Sequence, residues 1–329
     1  MSRHLYPTPP HISRWRESLL RFLFPRRSDS WLSWLRVGLG LALACYCWSL
    51  RLDWPELFGE VASGKLSERI LSLETPFAPR LGWFFALAAK MGLADDIALT
   101  ASWLALLCAT GALLLGVLPR VFAGVAWFIH LSATNSAQFV SYGLDNFMTI
   151  GLFYLMLSPL PDRFCLTAWW RARSQDRQPP QRNFLTRGTA RSLGFWRRVL
   201  QMHVSLIYFF SGVTKCLGNG WWDGSSLWRS VIRPPFNVVP PEVLVHWKSL
   251  FPVTGALIAL LETSYPVFIW SRRTRPIWLV SICCMHVGVA LLMGMYLFGF
   301  VMIVLNLAAF GPEISLPISR RPLSQRRVG

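Results

Sequence analysis

Charge is scarce in this sequence. Only 15% of its 329 residues are Asp, Glu, Lys or Arg, where an ordinary soluble domain carries about a quarter. Acids are scarcer still, 16 against 33 basic residues, and the formal net charge is +17. The shortage is concentrated in apolar stretches of spanning length, each close to the roughly 20 residues that cross a hydrocarbon core. A water-soluble globular fold is thereby excluded. One helical membrane body is expected, without a large appended domain.

Other absences narrow the function. A basic excess can signal nucleic acid, but here the arginines sit in the connections between apolar stretches. That arrangement predicts a rim facing anionic membrane lipids and no nucleic-acid partner. No cysteine pair has the spacing of a zinc or dithiol site. Cys45, Cys47, Cys108, Cys216, Cys283 and Cys284 lie in or beside apolar stretches and Cys165 follows one, so they read as small hydrophobes. His130, His203 and His286 lack closely spaced carboxylates, and no metal is expected. The first apolar stretch lacks a small-residue cleavage pattern, so it reads as a retained helix and not a signal peptide. No repeat of 20–50 residues and no inverted pair is visible, which argues against a transporter or channel.

What is present is a series of apolar stretches at 31–50, 97–117, 119–134, 143–160, 199–217, 252–270, 276–292 and 295–311. They predict an all-α polytopic bundle that crosses the bilayer about eight times. A basic segment, 1–30, precedes the transmembrane domain 31–311, and a basic tail, 312–329, follows it. The connection 51–96 holds Asp53, Glu56, Glu60, Glu68, Glu74, Asp95 and Asp96. The apolar segment APRLGWFFALAAKMGL within it is short and predicts a surface or re-entrant helix. The connection 161–198 carries nine arginines and two acids. With the N-terminus in the cytoplasm, alternation places the Arg120 turn, that connection, the 272–275 turn and the tail inside as well. The 51–96, 134–146 and 218–251 connections fall outside. Both termini are therefore expected in the cytoplasm.

Polar side chains inside such helices call for an explanation. Lys215, in YFFSGVTKCLGNGWWDG, lies at the outer end of the fifth stretch. It either snorkels to headgroups or is held in the bundle, where it could act as a base. Glu262, in ALLETSYPVF, lies midway along the sixth, and either pairs with a Lys or His or lines a polar cavity. His130 and His286 are expected to make interhelical hydrogen bonds. Asn135, Tyr142 and Asp145 cluster at the outer mouth of the third and fourth stretches, where Asp145 can instead cap a helix. Trp221, Trp222 and Asp223 follow Lys215, and a Trp pair there can simply anchor the interface. With Tyr208, Glu262 and His286 these groups are the candidates for a pocket open to the outer side. Lys90 and Asp95 could approach it.

At these residues the chain resembles a known family. QMHVSLIYFFSGVTKCLGNGWWDGSSLW, from Gln201, resembles the core motif of the horizontally transferred transmembrane (HTTM) domain, which vitamin K-dependent gamma-carboxylase shares. NSAQFVSYGLDNFMTIGLFYLMLSP, ETSYPVF and HVGVALLMGMYLFGFVMIVL resemble further blocks in the same order, across about 30–310. The resemblance implies a plasma-membrane protein, in a bacterium the inner membrane. Lys215, after Ser211 and Gly212, matches the base that deprotonates a reduced, vitamin K-like quinone. The implied reaction is carboxylation of a secreted or small peptide. Two departures stand out. Ala137 and Gln138 occupy the region where the carboxylases carry a histidine, and the short tail leaves no propeptide-binding domain. Those departures favour a second possibility, a non-catalytic helper in secreted-peptide maturation that binds lipid, quinone or a partner.

Overall fold

The computed structural model describes residues 10–25, 27–59, 77–137, 141–158, 165–166, 170 and 191–312. Most of the acidic connection, Gln138, most of the arginine-rich 161–190 connection and the tail from 313 lie outside the described residues.

Regular structure among the described residues is helical: α1 (Pro10–Leu23), α2 (Ser30–Ser49), α3 (Trp54–Phe58), α4 (Gly82–Lys90), α5 (Asp95–Leu115), α6 (Pro119–Ser136) and α7 (Gly143–Leu157). After the arginine-rich connection come α8 (Arg191–Leu217), α9 (Asn219–Trp222), α10 (Ser225–Ile232) and α11 (Pro241–Val245). Then follow α12 (Phe251–Phe268), α13 (Arg275–Met293) and α14 (Tyr296–Phe310). Local sequence sets many of the ends. Asp95 and Asp96 lie in the first turn of α5, where the helix dipole favours anions, and Gly116 stops it in a left-handed conformation. Pro119 opens α6, where its missing N–H is no loss. The short apolar segment around Gly82 is a nine-residue helix, about 14 Å long, too short to span.

Two groups of helices pack side by side. In the first, α2 contacts α5 and α7, and α6 lies between α5 and α7. In the second, α8 packs on α12 and α14, and α13 packs on α12 and α14. The groups are joined where α14 meets α2 and α7. Trp31, Leu35, Leu39 and Leu43 recur every four residues along α2 and are buried against this seam.

Four arginines tie one end of the bundle together. Each lies in the first two turns of a helix and donates to carbonyls at the end of another. Arg36 of α2, fully buried, bonds the Leu113 and Leu114 carbonyls at the close of α5, the latter at 2.9 Å. Arg120 of α6 bonds the Ser158 carbonyl just after α7. Arg197 of α8 reaches Ala308, Ala309 and Gly311 at the end of α14, at 2.8–3.2 Å. Arg275 of α13 bonds Ile269 and Trp270, just past α12, at 3.1 Å. The last carbonyls of a helix lack intrahelical donors and carry the negative end of its dipole, so a guanidinium serves both needs. Near the start of its apolar stretch, Arg36 is placed by sequence to snorkel to headgroups; it is instead buried in the bundle. These contacts also show that α2, α6, α8 and α13 start at the end of the bundle where α5, α7, α12 and α14 finish.

The outer surface is apolar. Leu41, Leu104, Leu107, Phe210, Leu257 and Leu291 are among many large side chains left exposed. Among the described residues, four helices are long and apolar enough to cross a membrane: α2, α5, Lys248–Phe268 and α13. Gly143–Leu157 and Tyr296–Phe310 are shorter apolar helices.

Candidate functional site

The groups singled out from the sequence fall into three clusters. The first lies between α8 and α12. Lys215 Nζ donates to Glu262 Oε2 and to Ser211 Oγ, both at 2.6 Å. Ser211 lies one turn before Lys215 on α8, so helical spacing alone brings the two together. Glu262 comes from across the interface. The Glu262 side chain is 6% exposed and the lysine side chain 17%, so the ion pair is largely withdrawn from solvent, the lysine less completely than the acid. Trp221 supplies a lid: the ammonium lies 5.1 Å from its ring centroid.

Close approach of the helices makes this contact. Gly212 of α8 faces the Thr263 backbone, and Gly255 of α12 faces the Trp221 carbonyl. A Cβ at either glycine would collide with main chain, which cannot yield. Further along α12, Pro266 has no N–H to offer the carbonyl of Glu262, so that carbonyl lacks its usual donor one turn on.

The second cluster lies two turns deeper on α8. Tyr208 OH bonds His286 Nε2 at 2.7 Å and accepts from Asn306 Nδ2, also at 2.7 Å. Tyr265 OH donates to Asn306 Oδ1 at 2.6 Å. The four side chains come from α8, α12, α13 and α14, and all are buried. His286 thus makes the expected interhelical hydrogen bond, though its Nδ1 has no partner. Tyr265 and Asn306 were not singled out by sequence reasoning. The signal for Asn306 was a lone amide in a strongly apolar helix, a position that needs a buried partner.

The third cluster lies in the first group of helices. Asp145 Oδ2 accepts the Tyr142 backbone N–H at 3.0 Å, so this acid caps α7. Its other oxygen stands 4.0 Å from His130 Nε2. His130 is fully buried and neither ring nitrogen makes a hydrogen bond, contrary to the expected interhelical bond. Tyr46 of α2 packs edge-on against its ring at 5.1 Å.

The remaining candidates serve the scaffold. Asn135 donates to the Pro79 carbonyl at 2.8 Å and pins the approach to α4. Trp222 Nε1 donates to the Cys216 carbonyl at 2.8 Å, tying α9 to the end of α8. Asp223 Oδ1 accepts the Ser225 N–H at 2.8 Å at the start of α10. That hydrogen bond holds its exposed carboxyl below the usual carboxylate range. His203, near the arginine-capped end, bonds Tyr154 OH of α7 at 3.1 Å. Lys90 and Asp95 are exposed. No group of three His, Cys, Asp or Glu side chains among the described residues could hold a metal ion.

Lys215, Glu262 and Trp221 are therefore brought together, and Tyr208 with His286 forms a separate, deeper set. Asn135, Tyr142 and Asp145 belong to the other half of the bundle. The geometry offers an amine, a hydroxyl and a carboxylate in one hydrogen-bonded row, on a lysine side chain that is partly exposed. No protein-family model, curated protein or solved structure matches this chain.

Proposed function

We propose that this is a multi-pass membrane protein of the HTTM type whose Lys215–Glu262 pair handles a proton on a membrane-soluble substrate at the outer side. The contact of Lys215 with Glu262 carries the proposal. Eight helices, α2, α5–α8 and α12–α14, are taken as spans in the plasma membrane, with both termini in the cytoplasm. The alternating helix ends with their four arginine caps support that topology, because the capped end carries the positive charge of the cytoplasmic side.

Chemistry at the pair follows from its surroundings. The pair is a short hydrogen bond withdrawn from water. Movement of one proton along the 2.6 Å contact leaves Lys215 an amine and Glu262 a carboxylic acid. The amine then takes a proton from an acidic hydroxyl, and the ammonium stays beside the oxyanion that forms. Ser211 holds the nitrogen in place throughout.

A reduced quinone fits these residues. Its hydroxyl requires a reachable base, which Lys215 provides. Its apolar tail requires a hydrocarbon-facing surface, which the apolar exterior of the bundle offers. When bound, such a quinone supplies the acidic hydroxyl and the reducing power for reaction with oxygen. We take a peptide on the outer side as the acceptor of a carboxylase-like reaction.

The test is turnover in proteoliposomes given reduced quinone, a glutamate-containing peptide and labelled carbon dioxide. Quinone oxidation and label uptake should occur with wild type and vanish in Lys215→Ala, with insertion unchanged. Retained turnover in that variant removes the proposal. Cysteines introduced at Arg191 and Gly220 should label from opposite compartments; labelling from one compartment breaks the topology. A helper role is the second reading, favoured by the fact that Glu262 neutralises Lys215. It expects no turnover by the purified protein and a copurifying partner that survives Lys215→Ala.

A further inference from the structure

Helix α12 has two working faces. Gly255, Ala259 and Glu262 are buried, with Gly255 against Trp221 and Glu262 against Lys215. About 100° round the helix, Thr254, Leu257, Ile258 and Leu261 line one wall of a cavity of about 610 Å³. Ser281, Cys284, Gly288 and Leu292 of α13, at helical spacing, line the other wall. Leu227 and Val231 of α10, with Leu244 and Trp247, also line it. Nothing lies within 4 Å of the Cβ position of Gly288, so the cleft is open there.

The cleft has the dimensions of one leaflet. From Phe251 to Leu261 the α12 wall rises about 15 Å, and from Ser281 to Met293 the α13 wall rises about 18 Å. One leaflet contributes about 15 Å of a 30 Å hydrocarbon core. The walls begin where α12 starts and α13 ends, the end opposite the arginine caps. Only 22% of the apolar stretch ending in α12 and 11% of that in α13 is buried, so both helices present their flanks to the bilayer. In the segment that leads into α12, Arg229, Arg233 and Lys248 are exposed, and the exposed acids there are Glu242 and Asp223, the latter attracted by Arg229. Arg229 and Arg233 lie one turn apart, and Arg229 is turned away from Leu227 and Val231, as in a helix lying at headgroup depth.

We propose that the α12–α13 cleft holds one acyl chain of an anionic glycerophospholipid, with its phosphate drawn to Arg229, Arg233 and Lys248. The proposal rests on the membrane-spanning reading of α12 and α13 and is independent of the chemistry at Lys215. An apolar slot of single-leaflet depth excludes water and favours a hydrocarbon chain. The basic mouth selects for negative charge on the headgroup.

Native mass spectrometry of the delipidated full chain, titrated with phosphatidylglycerol or phosphatidylcholine, tests it. Wild type should bind one phosphatidylglycerol more tightly than the rest. Gly288→Leu should abolish that adduct, whereas Leu260→Trp, at an exposed position outside the cleft, should keep it. Arg229→Gln, Arg233→Gln and Lys248→Gln together should reduce the preference over phosphatidylcholine about tenfold. Equal binding of both lipids, or an adduct unchanged in Gly288→Leu, overturns the proposal. Phosphatidylglycerol with a photoreactive acyl chain gives a readout that needs no variant. Its label should concentrate on the α12 and α13 walls, and label spread evenly over the outer surface overturns the proposal. Lys215→Ala should leave the adduct intact, which separates this result from a failure of the proposed catalysis.

Discussion

Glu262 reaches Lys215 across 2.6 Å at the α8–α12 interface, 47 residues away in the chain. The acid is nearly shut off from solvent, and the lysine is its partner there. Removing one leaves an uncompensated group, at a cost of about 3–5 kcal/mol. Lys215→Met and Glu262→Leu should each lower the unfolding midpoint in detergent. The double variant should recover most of the loss, and strict additivity in that cycle would show that the two do not interact.

Tyr208 joins His286 to Asn306. Tyr208→Phe keeps the ring and removes only the hydroxyl, leaving His286 Nε2 and one Asn306 N–H without that partner in a buried setting. A loss of about 1–3 kcal/mol is expected. Thermal unfolding measures it, and a midpoint equal to wild type would contradict the network.

Gly212 decides how closely α8 and α12 approach. Gly212→Val drives side-chain atoms into the Thr263 backbone. Overpacking of this kind costs about 1–3 kcal/mol, and relief requires the helices to part. A crosslink reads that separation directly. With Thr263→Cys, at a side chain whose Oγ1 stands 3.3 Å from Cys216 Sγ, the introduced and native thiols should oxidise readily to a disulfide while position 212 keeps its glycine. Adding Gly212→Val to that pair should slow the oxidation. Equal oxidation in both backgrounds would show that the glycine does not set the spacing.

Asp223 gives a pH dependence outside the spanning segments. Its carboxyl is held below the ordinary value by the Ser225 N–H, so the folded state favours the ionised form. The contribution is therefore present above the usual carboxylate value, about 3.9, and is lost as pH falls through the lower folded value. Acidification below about pH 4 should loosen the start of α10, seen as faster amide exchange at Ser225. Asp223→Asn should flatten that response, and an identical response in the variant would assign it elsewhere.

The all-helical character was legible in the sequence because helix formation is local. Apolar stretches of near-spanning length, acids at the start of α5, Pro119 at the start of α6 and Gly116 and Gly294 at helix ends each act over one or two turns. The cap at Asp145 could be read for the same reason, since its partner is three residues away. The arginine positions were visible too, though their role as caps on the ends of other helices was not.

Which polar group meets which belonged to tertiary structure. Glu262 had several chemically suitable partners, and only the packing of α8 on α12 selects Lys215. His286 and His130 looked alike in sequence, each a lone imidazole in an apolar helix. One faces a tyrosine hydroxyl at 2.7 Å and the other a carboxylate at 4.0 Å. The α12–α13 cleft likewise required two helices placed with their flanks apart. Helical periodicity orders side chains around a single axis, but rotation and distance between axes depend on contacts such as Gly212 on Thr263, made between residues far apart in the chain.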